Sequence, residues 1–267
     1  MSGPHPFRIL KILSSGIITL LLSFQILHAQ AIIGVVDYMK VDYPDQYLEL
    51  EKSWKKIHEE RFKEGMIIGW SVFKVMFKTT EDPYNFITVS WYDSFSKLDK
   101  DIPESILINA FPDKTEEQWK EFHELTNSSR KLVTSGVFHQ RLKTRPEKQL
   151  KIRGTYFVIN EISVAKGKSK KYLKILEDIY IPMYQEDIRQ GNREAWSLWE
   201  KWPGNMKNFQ YLAADGYNSL EQIEPIDFLE YFKNIHPAKD IDDISAQIEE
   251  MRELVNTEMW KLIYVID

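Results

Sequence analysis

Asp37, His58 and His123 are the side chains of this chain best placed for proton transfer: a carboxylate in the middle of an alternating apolar run, and two imidazoles bordering apolar helical stripes. Asn160 stands in the second half of the chain where Asp37 stands in the first, and Tyr184, Trp70 and Trp196 are the companion candidates for holding a ligand. Burying a carboxylate or an imidazole without a partner is costly, so groups that truly face inward must meet one another or a ligand. A plainer reading stands beside this one. His123 matches Ser245, and His58 matches Met183 or Tyr184, so neither imidazole is required by the pattern that the two halves share.

Other chemistry is excluded more firmly. The chain has no cysteine, which removes a thiol nucleophile, cysteine-ligated iron–sulfur clusters, covalent haem attachment and a lipid-modified amino-terminal Cys. The histidines beyond the first 30 residues, His58, His123, His139 and His236, show no H-E-x-x-H or H-x-H spacing, so no metal site is expected. Neither a G-x-S-x-G elbow nor a G-x-G-x-x-G fingerprint occurs. Lys166-Gly-Lys-Ser-Lys-Lys171 lacks the earlier glycine of a phosphate loop and reads as a turn between strand and helix.

The elements that must position these residues come in two matching sets. Residues 35–142 are echoed by 158–264: Arg130-Lys-Leu-Val-Thr-Ser-Gly-Val-Phe138 returns as Arg252-Glu-Leu-Val-Asn-Thr-Glu-Met-Trp260. Asn109-Ala-Phe-Pro112-Asp-Lys114 returns as Asn234-Ile-His-Pro237-Ala-Lys239, and Tyr92, Gly65 and Trp70 match Tyr217, Gly191 and Trp196 in the same order. A period this long is the size of a domain, not of a solenoid unit.

Within each set the periodicity switches in one order. Val35, Asp37, Met39 and Val41 alternate as in a strand, as do Val158, Asn160, Ile162 and Val164. A helix follows over residues 45–64, with Leu50, Trp54, Ile57 and Arg61 on one face and Gly65 as its stop; Ile175, Ile179 and Met183 repeat the stripe, with Pro182 expected to kink it and Gly191 to close it. Two β-rich runs form a hairpin, over 70–77 and 86–92, then 196–202 and 209–214, the latter pair joined across Pro203-Gly204. On such a strand Trp196 and Trp202 point one way and Trp199 the other. The Asn-x-x-Pro-x-Lys element reads as a turn into a second helix that places Trp119, Phe122, Thr126 and Val133 inward, or Ile241, Ile244, Ile248, Met251 and Val255 in the second copy. Closing strands over 136–142 and 258–266 complete β-α-β-β-α-β, the ferredoxin-like order.

The first 30 residues differ. Arg8 and Lys11 precede an uncharged apolar run from Ile12 to Phe24, and small residues follow at Ala29 and Ala31, the pattern of a cleaved signal peptide. Export to the periplasm or the extracellular space is expected, with no membrane span afterwards. Removing this segment takes away Arg8 and Lys11 and no acid, so the formal charge moves from −5 to −7, which disfavours nucleic acid as a partner. The domain reading is a signal peptide over 1–30, one repeat over 31–143, a linker over 144–154 and a second repeat over 155–267. The stretch 141–153, with six basic residues and one acid, reads as a solvated linker, the alternative being an anion-binding patch.

Element order and the Gly65-x-x-x-x-Trp70 pattern resemble the dimeric α+β barrel superfamily, which holds antibiotic-biosynthesis-type monooxygenases and NIPSNAP-like domains. The resemblance implies an α+β fold in which two tandem ferredoxin-like repeats pack sheet against sheet as a pseudo-dimeric barrel, with a ligand between sheet and helices of one unit. The assembly expected is a monomer with this internal pseudo-dimer, or a higher homo-oligomer. Its haem-degrading members use an Asn on the first strand with a Trp and a His on the second helix. Here Trp119 and His123 accompany Asp37 instead, and Asn160 lacks the His, so no cofactor is expected. Two functions follow: an exported module that binds a small apolar or aromatic molecule or another protein, or a cofactor-independent monooxygenase-like enzyme using Asp37 with His58 or His123.

Overall fold

The computed structural model describes residues 32–145, 150–202, 209–224 and 228–267; the segment read as a signal peptide and the Pro203-Gly204 turn lie outside them. Alternating apolar residues build β1 (Ile33–Lys40), after which Pro44 opens α1 (Pro44–Lys63) at the first helical turn, where its missing N–H costs nothing. The hairpin β2 (Gly69–Val75) and β3 (Phe86–Tyr92) follows. Next come α2 (Glu104–Ala110), α3 (Glu116–Ser129) and β4 (Lys131–Lys143). Thr115 starts α3 with a capping box, its hydroxyl accepting from the Gln118 N–H while the Gln118 side chain accepts from the Thr115 N–H.

The second half repeats this sequence of elements. β5 (Tyr156–Val164) leads to α4 (Ser169–Ile175), a π-helical turn over Leu176–Tyr180 and α5 (Ile181–Gln190). Pro182, which lacks the N–H that a continuous helix needs, sits in the first turn of α5, just after the π turn, so the expected kink takes the form of a register change. Gly191 ends α5 at φ +81°, a left-handed conformation that L side chains resist. Then come β6 (Ala195–Lys201), β7 (Tyr211–Tyr217), α6 (Phe228–Ile235), α7 (Ile241–Met251) and β8 (Arg252–Ile266).

The eight strands of the described residues close into one antiparallel barrel in the order β1-β3-β2-β8-β5-β7-β6-β4. Each half contributes four consecutive strands, and two seams join them. Trp70 pairs with Ile266 across β2 and β8, and Phe138 pairs with Lys201 across β4 and β6. Among the described residues closure leaves no strand edge unpaired, which removes the usual template for aggregation there.

Because successive strand residues point to opposite faces, every strand serves two cores. The helix-facing residues Ile33, Met39, Trp70, Val72 and Phe86 pack under α1, and Ile162, Trp196, Leu198 and Tyr211 pack under α4 and α5. The barrel-facing residues Val36, Phe73, Trp91, Phe138, Trp199 and Trp260 meet in a third core inside the barrel.

Two expectations need correction. The helical stripe does not continue to Val133 and Val255: α3 ends at Ser129 and α7 at Met251, where Arg130 and Arg252 turn to extended backbone, and both valines are exposed strand residues. The chain changes period there without a Gly or Pro to announce it. Trp202 also differs, lying just past the end of β6, 51% exposed and against Phe95, while Trp196 and Trp199 do face opposite ways.

Candidate functional site

The helix side of the first half gathers a buried polar cluster. The His58 imidazole stacks on Trp70 with ring centroids 4.7 Å apart, and the Trp54 ring centroid lies 5.8 Å from that of His58. Arg61 Nη1 donates to His58 Nδ1 at 2.9 Å and its Nη2 donates to the Tyr92 hydroxyl at 3.3 Å. Burial, reinforced by Arg61 and Arg130, pushes the imidazole well below its ordinary pKa. A neutral ring accepting at Nδ1 carries its proton on Nε2. Beside it, Glu51 is 1% exposed and pairs with Arg130, whose guanidinium lies over the Tyr47 and Trp54 rings.

Asp37 and His123 do not join His58. Asp37 is on the helix-facing side of β1 but accepts from Ser135 Oγ at 2.5 Å, its pKa raised by burial against the opposing pull of Ser135 and Arg130. His123 is exposed on α3, near Trp119 and Phe122. The expected acid–base grouping is therefore not formed, because each member finds a local partner or solvent.

In the second half, three of the ligand-site candidates do come together. Asn160 accepts from Thr257 Oγ1 at 2.8 Å and donates to Asp215 Oδ2 at 3.4 Å. Asp215 pairs with Arg193, whose guanidinium lies 4.4 Å over the Tyr184 ring; Tyr184 in turn packs 5.1 Å from Trp196. Tyr184 on Trp196 thus takes the place that His58 on Trp70 takes in the first half. Trp70 and Trp196 are 2% and 3% exposed, so both of these regions are filled with side chains.

The open volume is on the other face of the sheets. A cavity of about 120 Å³ lies inside the barrel, lined by Trp91, Trp199, Trp260, Phe73, Phe138 and Phe157 among others. This corrects the expectation of a cavity beneath the helices: the bulky residues of both halves fill that space, while the small side chains of Ala195 and Ala214 line the cavity on the barrel side. Trp91 and Trp199, one from each half, meet at 4.9 Å. Each lumenal indole N–H is satisfied within the barrel wall: Trp91 donates to Ser71 Oγ, Trp199 to Ser197 Oγ and Trp260 to Glu258 Oε2. Around these rings the wall is mostly aromatic face and aliphatic carbon, with Gln140, Thr144, Ser197 and the cations of the basic stretch as its polar residues.

The basic stretch forms one end of this cavity. Leu150 and Ile152 pack into the lumenal core, the Ile152 N–H donates to Asp267 Oδ2 at 2.6 Å, and the Thr155 N–H donates to the Tyr217 carbonyl at 2.7 Å. The described part of the linker is therefore a packed strap. Its closeness depends on glycine: a Cβ on Gly216 would come within 2.4 Å of the Arg153 carbonyl oxygen.

Farther along the same strands, past Ile159 and Trp260, lies a polar group of lumenal residues. Glu258 pairs with Lys78 at 2.9 Å and accepts from Tyr84 at 2.8 Å. Glu161 is pushed up to about 7 by burial and by Glu258, and the Tyr38 hydroxyl is buried without a hydrogen-bond partner. Among the described residues no cluster of three or more His, Asp or Glu is arranged to hold a metal ion, and no helix is long and apolar enough to cross a membrane.

Sequence reasoning placed Asp37, Asn160, Trp70 and Trp196 on their strands but missed Glu51, Glu161, Glu258 and the lumenal tryptophans. Strand parity was the available signal, since Glu161 shares its face with Phe157 and Ile159, and Glu258 shares its face with Trp260.

No protein-family model matches the chain, and no curated protein matches its sequence. Among solved structures it is similar to a candidate monooxygenase from Fusobacterium nucleatum subsp. nucleatum, at 14% identity and TM-score 0.51, covering 90% of this chain and 96% of that one. An anthrone oxidase-like protein (10% identity, 89% and 93% covered, TM-score 0.49) and a candidate chlorite dismutase (9% identity, 88% and 95% covered, TM-score 0.48) have more distant likeness. At such identities the likeness is one of fold. The closed eight-stranded antiparallel barrel with helices outside it is the fold of the dimeric α+β barrel superfamily.

Proposed function

We propose that this chain is an exported protein, built from two tandem ferredoxin-like repeats, that binds a small apolar or aromatic molecule in the lumen of its barrel. The observation that carries the binding reading is the cavity itself, whose walls are indole and phenyl rings with their polar edges already satisfied. Such walls favour an apolar guest through area burial and ring contacts and offer it no hydrogen-bonding demand. Duplication is supported by the matched residues and by the strand order, 4-1-3-2 in each half of the barrel. Export is supported by the basic, then apolar, then small-residue pattern of the first 30 residues.

The alternative of a cofactor-independent monooxygenase-like enzyme needs Asp37 to act with His58 or His123; it is less supported, since Asp37 bonds Ser135, His58 bonds Arg61 and His123 is exposed. The binding reading is tested by titrating the full-length protein with 2-naphthamide while following tryptophan fluorescence. Saturable quenching is expected, and it should be lost in Ala214→Leu, which fills the cavity; quenching that is absent, or unchanged in that variant, overturns the reading.

A further inference from the structure

We infer that the molecule taken by the lumen carries an anionic group, so that the ligand class is an apolar or aromatic acid whose body enters the barrel and whose acid end stays at the strap. This deepens the preceding reading and rests on it.

The described residues of the cavity wall are charged in one sense. Its described lining holds four cations, Lys143, Arg145, Lys151 and Arg153, and no Asp or Glu. All four come from the two short stretches 143–145 and 150–153, which meet at one end of the barrel, while the rest of the lining is almost wholly apolar. This is a local feature against the trend of the molecule, whose formal charge is −5, so it is not the by-product of a basic surface. The stretches are also fixed in place. Arg145 Nε donates to the Glu194 carbonyl at 2.9 Å, the Thr144 N–H donates to the Trp196 carbonyl at 3.0 Å, and the Ile152 and Thr155 N–H groups are tied to Asp267 and Tyr217.

The positions of polar atoms then decide how a guest must lie. The indole N–H groups are committed to Ser71, Ser197 and Glu258, so among the rings a buried polar atom loses its water and finds only Gln140 and Ser197 as uncharged side-chain partners. A guest with one polar end therefore points that end toward the strap, where it meets cations. A carboxylate there gains ion pairs and hydrogen bonds charged on both sides in a partly desolvated setting, whereas an amide of the same shape offers the cations only a neutral acceptor and an ammonium is repelled.

The experiment compares two probes of one shape, 2-naphthoate and 2-naphthamide, by tryptophan quenching of the full-length protein. The acid is expected to bind at least about tenfold more tightly than the amide, the worth of one charged hydrogen bond. In Lys151→Gln with Arg153→Gln that preference should shrink to roughly twofold, with amide affinity unchanged. Lys151→Glu, a change at an exposed side chain that leaves the strap backbone intact, should weaken the acid selectively even if the double variant folds poorly. Equal binding of acid and amide, or a preference that survives these changes, overturns the inference while leaving the lumenal reading in place. Failure of the amide to bind overturns the lumenal reading and this one with it.

Discussion

The carbonyl oxygen of Arg153 occupies the space where a side chain at Gly216 would begin, 2.4 Å from the Cβ that any other residue would place there. Strap and barrel wall touch backbone to backbone at this point, so Gly216→Ala must displace one of them. A loss of about 2 to 3 kcal/mol in urea unfolding is expected, as for other overpacked sites. Gly167→Ala meets no atom within 4 Å and carries only the strain of φ +81°, so it should cost about 1 kcal/mol. Equal midpoints for the two variants would show that the strap is not packed in solution.

Glu51 and Arg130 form a pair in which the carboxylate is 1% exposed. Glu51→Ala leaves the Arg130 guanidinium facing a buried void and should cost about 3 to 5 kcal/mol in denaturant unfolding. Glu49→Ala, which breaks the exposed pair with Lys52, should cost under about 1 kcal/mol.

His58 ties its neutral state to folding. Because its pKa lies well below the ordinary value of 6.5, the fold favours the unprotonated ring. Its contribution is full above pH 6.5 and is lost as the pH falls below it, at up to about 1.4 kcal/mol per pH unit. His58→Phe keeps a ring against Trp70 but removes the acceptor of Arg61. The variant should be less stable at pH 7.5 and should lose less stability than the parent between pH 6.5 and 4.5, as read from urea midpoints across that range.

Glu161 works in the opposite sense. Its pKa is raised to about 7 from 4.5, so the fold favours the protonated acid. That stability is complete below about pH 4.5 and disappears as the pH climbs through about 7. Glu161→Gln should remove this slope and be the more stable protein at pH 8, by on the order of 1 kcal/mol once partial solvent screening of the side chain is allowed for. An unchanged pH profile would show that the carboxylate is fully solvated.

The amino-acid sequence determined the order of strands and helices, the match between the two halves and the two faces of every strand. Those features depend on local periodicity: alternation decided that Trp196 and Trp199 point apart, and that Asp37 and Asn160 stand at equivalent positions. Tertiary structure alone decided which face would be hollow, because parity shows that a strand has two sides but not how much volume the opposing elements deliver to each. Under α1 and α5 the space is taken by His58 on Trp70 and Tyr184 on Trp196, whereas the small Ala195 and Ala214 line the lumen and leave it open. The seams of β2 with β8 and β4 with β6, and the descent of the basic stretch onto the mouth of the barrel, are contacts between residues far apart in the chain. No local pattern encodes such pairings, since they form only when two whole sheets find each other and exclude water between them.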